Sequence, residues 1–157
     1  MRTFVVYESL TGKTAKSAQL IAAHLRAAGV TVTAVCNVTD IDLQALADAD
    51  TVIVGTWVDG LILFGQRPGR QGRLWNLPAL AGKRAVVYVT YAIDAGRALD
   101  KLVAIVESRG AAVLGGLTIR RDDLAGGARE LVDGLLAAEP TSSSDAAPAP
   151  EPSSQSA

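Results

Sequence analysis

The chain has 157 residues, 49% of them apolar, with 15 lysines and arginines against 16 aspartates and glutamates and a formal net charge of −1. That size and balance fit one globular domain with a substantial core, and they argue against a general nucleic-acid binder. A single cysteine, Cys36, and a single histidine, His24, exclude an internal disulfide and a cysteine metal cluster, and leave a Ser-His-Asp hydrolase or a histidine metal site resting on one residue.

Residues 2–7 (RTFVVY) carry β-branched and aromatic side chains in a run that suits a buried strand. From Lys13 the spacing turns helical, with Ala18, Ile21, Leu25 and Ala28 on one face and Gly29 as the stop. His24 falls off that face and reads as solvated. The junction is Glu8-Ser9-Leu10-Thr11-Gly12, leading into Lys13-Thr14. Gly-Lys-Thr also ends the ATP-binding P-loop, but that loop needs a further glycine five positions earlier, where Tyr7 stands. Too few residues remain to wrap phosphates in that manner. The junction still has the properties of an anion site, because unpaired N–H groups and the positive end of the dipole face outward at a helix start. Ser9, Thr11 and Thr14 add hydroxyls, and Gly12 lets the backbone approach a ligand closely. The alternative is that Ser9 or Thr11 merely caps the helix.

Residues 30–38 alternate Val and Thr as a strand, in which Cys36 reads as a buried, inert thiol. Asp40 or Asp42 is placed to cap a short helix ending at Ala47, and residues 51–55 form the next strand. The segment 60–73 (GLILFGQRPGRQGR) is apolar over Leu61, Ile62, Leu63 and Phe64, then basic at Arg67, Arg70 and Arg73. It reads either as an apolar half tucked under the sheet with solvated arginines, or as a lid and partner-docking surface. Residues 84–90 give a strand, and Leu99, Leu102, Val103 and Val106 a helix closed by Gly110. A fifth strand spans 111–119. Leu124, Ala128, Leu131, Val132 and Leu135 line a last helix, with Asp122 or Asp123 as its cap.

Strands alternating with helices predict an α/β doubly wound parallel sheet. Ligands of such sheets sit beyond the C-terminal strand ends, at the switch point. That brings together the Ser9–Thr14 loop and the loops after Gly55 and Thr90. Each of the latter two opens with an aromatic, Trp57 and Tyr91, out of only seven in the chain. Either alone reads as a loop anchor; the pair suits a planar ring held between two flat faces. After residue 139 the sequence becomes rich in serine, alanine and proline, so a domain of 1–139 is expected, followed by a disordered tail of 140–157. With no charged leader ahead of an apolar segment and no apolar run of about 18 residues, a cytoplasmic protein is expected.

The stretch Val5-Val6-Tyr7-Glu8-Ser9-Leu10-Thr11-Gly12-Lys13-Thr14, with Ala18 and Ile21 behind it, resembles the phosphate-loop signature of the flavodoxins at each constrained position. The order of elements is similar to the short-chain form, whose fifth strand is uninterrupted. The resemblance implies a flavodoxin-like five-stranded sheet of order 2-1-3-4-5. It implies FMN, with the phosphate on Ser9, Leu10, Thr11, Gly12, Lys13 and Thr14 and the isoalloxazine between Trp57 and Tyr91. The ribityl chain would pass Thr56 and Thr90, and Val58, Asp59, Gly60, Ala92 and Gly96 would complete the two ring loops. The implied function is an electron carrier between redox partner proteins. A quinone or flavin reductase on the same fold, drawing on a nicotinamide donor, is the alternative, and a flavin-free interaction module a third.

Three features depart from the family pattern. Val58 stands where many flavodoxins have a glycine whose peptide turns toward the reduced flavin, and a β-branched residue resists that turn. Lys13 puts a cation at a phosphate site that usually lacks one. The arginines of the 60–73 segment replace the usual acidic surroundings of the flavin. From composition, deleting residues 140–157 is expected to leave flavin affinity and melting temperature unchanged; a clear loss of either would show that the tail packs on the domain.

Overall fold

A computed structural model describes residues 1–59 and 65–139 of the chain. The elements run β1 (Arg2–Tyr7), α1 (Lys13–Ala27), β2 (Thr31–Asn37), α2 (Leu43–Ala47), β3 (Thr51–Asp59), β4 (Arg67–Pro68), α3 (Gln71–Trp75), β5 (Arg84–Tyr91), α4 (Ala98–Ser108), β6 (Ala112–Arg120) and α5 (Leu124–Ala138). The long strands form a parallel sheet in the order β2-β1-β3-β5-β6, and the two-residue β4 pairs antiparallel with the end of β3. With β4 set aside, this is the expected order 2-1-3-4-5.

The central strands are apolar on both faces because helices cover both. Along β1 the pleat sends Val5 to one side and Phe4 and Val6 to the other, all essentially without solvent exposure. Val5 joins Ile53 and Tyr88 under Ile21 and Leu25 of α1 and Leu131 and Leu135 of α5. Phe4 and Val6 join Val52, Val54 and Val87 under Leu102 and Ile105 of α4 and Leu74 of α3. The caps follow local chemistry. Asp42 accepts from the backbone N–H groups of Gln44 and Ala45 at the start of α2, and Asp123 accepts from Gly126 at the start of α5.

Four expectations change. β3 does not stop at Gly55 but continues to Asp59, since Thr56, Trp57 and Val58 are themselves good strand formers. Trp57 therefore lies in the sheet, in register with Thr90, rather than at a loop tip. β4 and α3 had no counterpart in the sequence reading, being two and five residues long. Cys36 and His24 are half-buried, neither enclosed nor fully solvated; burial pushes the Cys36 thiol up, which keeps it from ionising. No helix among the described residues is long and apolar enough to cross a membrane.

Candidate functional site

The chain leaves β1 at Glu8, whose N–H donates to the Gly55 carbonyl at 2.9 Å. The Ser9 hydroxyl oxygen accepts from the N–H groups of Gly12 (3.1 Å) and Ala15 (3.3 Å), so it does cap the first turn of α1. Gly12 carries the turn into the helix at φ 88°, in the left-handed region that favours glycine, and open space lies where a Cβ would stand. The N–H groups of Leu10, Thr11, Lys13 and Thr14 have no acceptor among the described residues. These donors lie at one junction, beside the positive end of the α1 dipole.

Behind this loop sits a buried scaffold. The hydroxyls of Thr14 and Thr90 lie 2.8 Å apart, and the Tyr88 phenol donates to the Thr14 carbonyl at 3.1 Å. Burial pushes the Tyr88 phenol far up, so it stays a neutral donor. These bonds tie the start of α1 to β5, two strands away across the sheet.

Glu8 is the base of a second tie. Its side chain is 0% exposed, and it is held by Arg70 Nη1 at 2.8 Å and Arg73 Nη1 at 3.3 Å. Arg67 pairs with Asp59 at 3.4 Å. The arginines are therefore anchored rather than simply solvated, while Leu61, Ile62, Leu63 and Phe64 fall outside the described residues. The anchoring bears on Trp57. Thr56 Oγ1 donates to the Gly69 carbonyl (2.9 Å), the Gly69 N–H donates to the Trp57 carbonyl (2.7 Å), and the Arg70 guanidinium sits 5.7 Å from the Trp57 ring centroid. Gly69 lies so close against the indole that a Cβ there would be 2.1 Å from Cε2. Gln66 links this segment to the loop after β5, donating to Asp94 Oδ2 at 3.2 Å, with Gly96 packed against its side chain.

A cleft of ≈ 120 Å³ opens where these segments meet. Leu10, Thr11 and Lys13 line it from the first loop, Trp57 and Val58 from β3, and Thr90, Tyr91 and Ala92 from the end of β5. Eight of the residues expected at the site therefore share one cavity. Ser9, Thr14 and Thr56 stand behind it as supports, Gly12 forms the turn, Asp59 is turned to Arg67, and Gly96 lies against Gln66. Gly60 lies outside the described residues. One lining residue was missed, Arg121, from the turn between β6 and α5. Nothing local in Arg120-Arg121-Asp122 distinguishes it. A larger hollow, ≈ 270 Å³, lies between β6 and α5 against Leu114, Gly116 and Leu131, with Glu130 as its one ionisable residue, and offers an anion nothing.

The sequence matches the family model of the flavodoxin domain over residues 4–101. The chain belongs to the flavodoxin family. No curated protein matches it in sequence. Among solved structures it is similar to two-electron reduced Megasphaera elsdenii flavodoxin, with a TM-score of 0.69 and 25% identity over 87% of this chain and 99% of that one. It shares the fold of oxidised flavodoxin 1 from Bacillus cereus, with a TM-score of 0.68 and 21% identity over 89% and 100% of the two chains. The same fold spans 36% of rubredoxin oxygen:oxidoreductase from Desulfovibrio gigas, covering 87% of this chain with a TM-score of 0.61 and 19% identity.

Membership makes this a flavin protein of the electron-transfer type. The donor set fits such a group. Residues with unpartnered N–H groups, two cations, an indole and a phenol ring line the one cleft.

Proposed function

We propose that this flavodoxin binds FMN in the cleft and carries electrons between partner proteins. The observation that supports this most directly is that Lys13 and the unpartnered N–H groups of the Ser9–Thr14 loop open onto the cleft that holds Trp57 and Tyr91. An anion site and a ring site thus lie within one cavity. The flavin, when bound, supplies the redox chemistry.

The chain's own residues do the holding. The loop N–H groups of Leu10, Thr11, Lys13 and Thr14 take the phosphate oxygens, and the Ser9 hydroxyl keeps the loop in its turn. The Thr14–Thr90 pair fixes the distance between the phosphate end and the ring end. Trp57 and Tyr91 grip the ring and keep water from its faces. Val58, extended in β3 and paired with Pro68, resists turning its peptide. Thr56 and Asp59 at the end of β3, and Ala92 and Gly96 after β5, shape the surroundings of the ring. The ionisable side chains lining the cleft among the described residues are Lys13, Tyr91 and Arg121, which include no carboxylate or imidazole to move protons at neutral pH. Leu10 and Ile93, 61% and 81% exposed, are apolar side chains at or beside the mouth where a partner would touch.

The test is a titration of flavin-free protein. FMN is expected to bind at least about 100-fold more tightly than riboflavin, since several hydrogen bonds to a charged phosphate are lost with it, each worth about 1.5–3 kcal/mol. Equal affinities would remove the loop as the phosphate site. Sustained turnover of a nicotinamide donor with a quinone, without a second protein, would favour the reductase reading instead.

A further inference from the structure

We propose that Arg121 closes a cationic clamp with Lys13 on the phosphate end of the cleft, so that flavin is selected by the double negative charge of its phosphate monoester. The proposal rests on the FMN reading above and adds a residue and a selection rule to it.

Of the loop hydroxyls, Thr14 is 1% exposed and hydrogen-bonded to Thr90, and the Ser9 oxygen accepts from two N–H groups. Two cations line the cleft beside them. Arg121 is 110 residues from Thr11 in sequence, yet its Nη2 donates to Thr11 Oγ1 at 3.3 Å, because α5 packs beside α1 on the same face of the sheet. Its backbone N–H donates to the Tyr91 carbonyl at 2.9 Å, so the turn is held at the cleft's rim. The side-chain bond is long and exposed, one that a phosphate oxygen would readily displace.

Charge pairing leaves both cations available to a ligand. Asp122 is engaged by Arg120 through bonds of 3.0 and 2.9 Å, and that pairing holds its carboxyl below the usual range. Glu8 is taken by Arg70 and Arg73, and Asp59 by Arg67. Among the described residues no carboxylate pairs with Lys13 or Arg121. Both line the cleft and also an adjoining open hollow, where Lys16 adds a third cation, Asp122 is held by Arg120 and Asp123 accepts from the Gly126 N–H. A planar guanidinium presents paired N–H groups to two phosphate oxygens, and an ammonium supplies a point charge from the other side. A phosphate monoester near neutral pH carries a charge of about −1.5 to −2, so it gains most from two cations.

The experiment compares flavin-free parent, Arg121→Gln and Arg121→Lys, each titrated with FMN and with riboflavin at low and high salt. Arg121→Gln is expected to weaken FMN about 10- to 100-fold, the scale of a charge-assisted hydrogen bond, and to leave riboflavin unchanged. Arg121→Lys should recover part of the loss, and the salt dependence of FMN binding should be shallower in Arg121→Gln than in the parent. A ratio of FMN to riboflavin affinity that is the same in Arg121→Gln as in the parent overturns the clamp, whether both affinities fall or neither does. If the parent prefers FMN and this ratio does not move, the phosphate-loop reading survives and only the clamp fails. If the parent shows no preference, both fall together.

Discussion

Changing Arg70 and Arg73 together to methionine is expected to destabilise the flavin-free protein by about 3–5 kcal/mol, because it leaves a fully buried carboxylate without a counter-ion. Glu8 has no exposed surface, and these two arginines are its side-chain partners. For a domain of this size the loss corresponds to a fall in melting temperature on the order of 10 °C. The reverse change should cost less. Glu8→Gln removes the buried charge and leaves the arginines, whose side chains are 41% and 49% exposed and can turn to water. Adding Glu8→Gln to the double arginine variant should therefore recover much of the stability, a strong non-additivity between residues in one network. Urea unfolding of the four proteins measures it. If the double arginine variant unfolds at the parent's midpoint, Glu8 is stabilised by something other than these guanidinium groups. If the triple variant is no better than the double, the penalty arises from lost arginine packing and not from the stranded charge.

This network marks the boundary of what the sequence disclosed. The strand-to-helix junction at Ser9–Thr14 was legible because it depends on neighbours in the chain: an apolar strand, a glycine with positive φ and a helix that starts at once. The doubly wound class was legible because alternating strands and helices permit few topologies, and the order 2-1-3-4-5 came with the resemblance to the flavodoxins. Trp57 and Tyr91 line one cleft, but the sequence puts both at loop tips, since Gly55 resembles a strand end; β3 runs on through Trp57 and β5 ends at Tyr91. In fact the pairing with β5 continues through Thr56 and Trp57. The partners of Glu8 lie 62 and 65 residues away, and Arg121 reaches Thr11 across 110. No spacing rule links such positions. They meet because helices on one face of a sheet must pack, and which arginine then finds which acceptor is decided by side-chain reach.

The same pairings redistribute charge in a chain whose net charge is only −1. Arg67 pairs with Asp59, and Arg70 and Arg73 share Glu8, so that segment is basic in sequence but partly compensated in the fold. Lys13, Lys16 and Arg121, around the phosphate end beside Asp122 and Asp123, are among the described cations that no carboxylate pairs with. A segment that looked like the basic docking surface is thus a brace for Trp57.

That brace sets the expected behaviour of Gly69. A Cβ at this position would fall 2.1 Å from Trp57 Cε2 and 2.2 Å from Cδ2, contacts that cannot exist, so either the indole or the 69–70 turn must move. The turn has little freedom, since the Gly69 N–H and carbonyl are both bonded to β3 and Arg70 is pinned to Glu8. Gly69→Ala should cost about 1–3 kcal/mol of stability, the range for overpacking. If Trp57 is one face of the ring site, the displaced indole should also weaken FMN. Trp57→Ala should weaken it by about 0.5–1.5 kcal/mol beyond the lost contact area, and Tyr91→Ala by less. Fluorescence of the bound flavin should rise in both, because a stacked aromatic quenches it. The decisive comparison is the pair. With Trp57 already alanine these indole contacts are gone, so Gly69→Ala should then cost much less in stability and in FMN affinity, which gives a coupling energy on the order of 1–2 kcal/mol in each cycle. If Gly69→Ala destabilises the fold while FMN binds, and is quenched, as in the parent, the indole packs on the 69–70 turn without serving the flavin, and the ring must be gripped by Tyr91 and other groups.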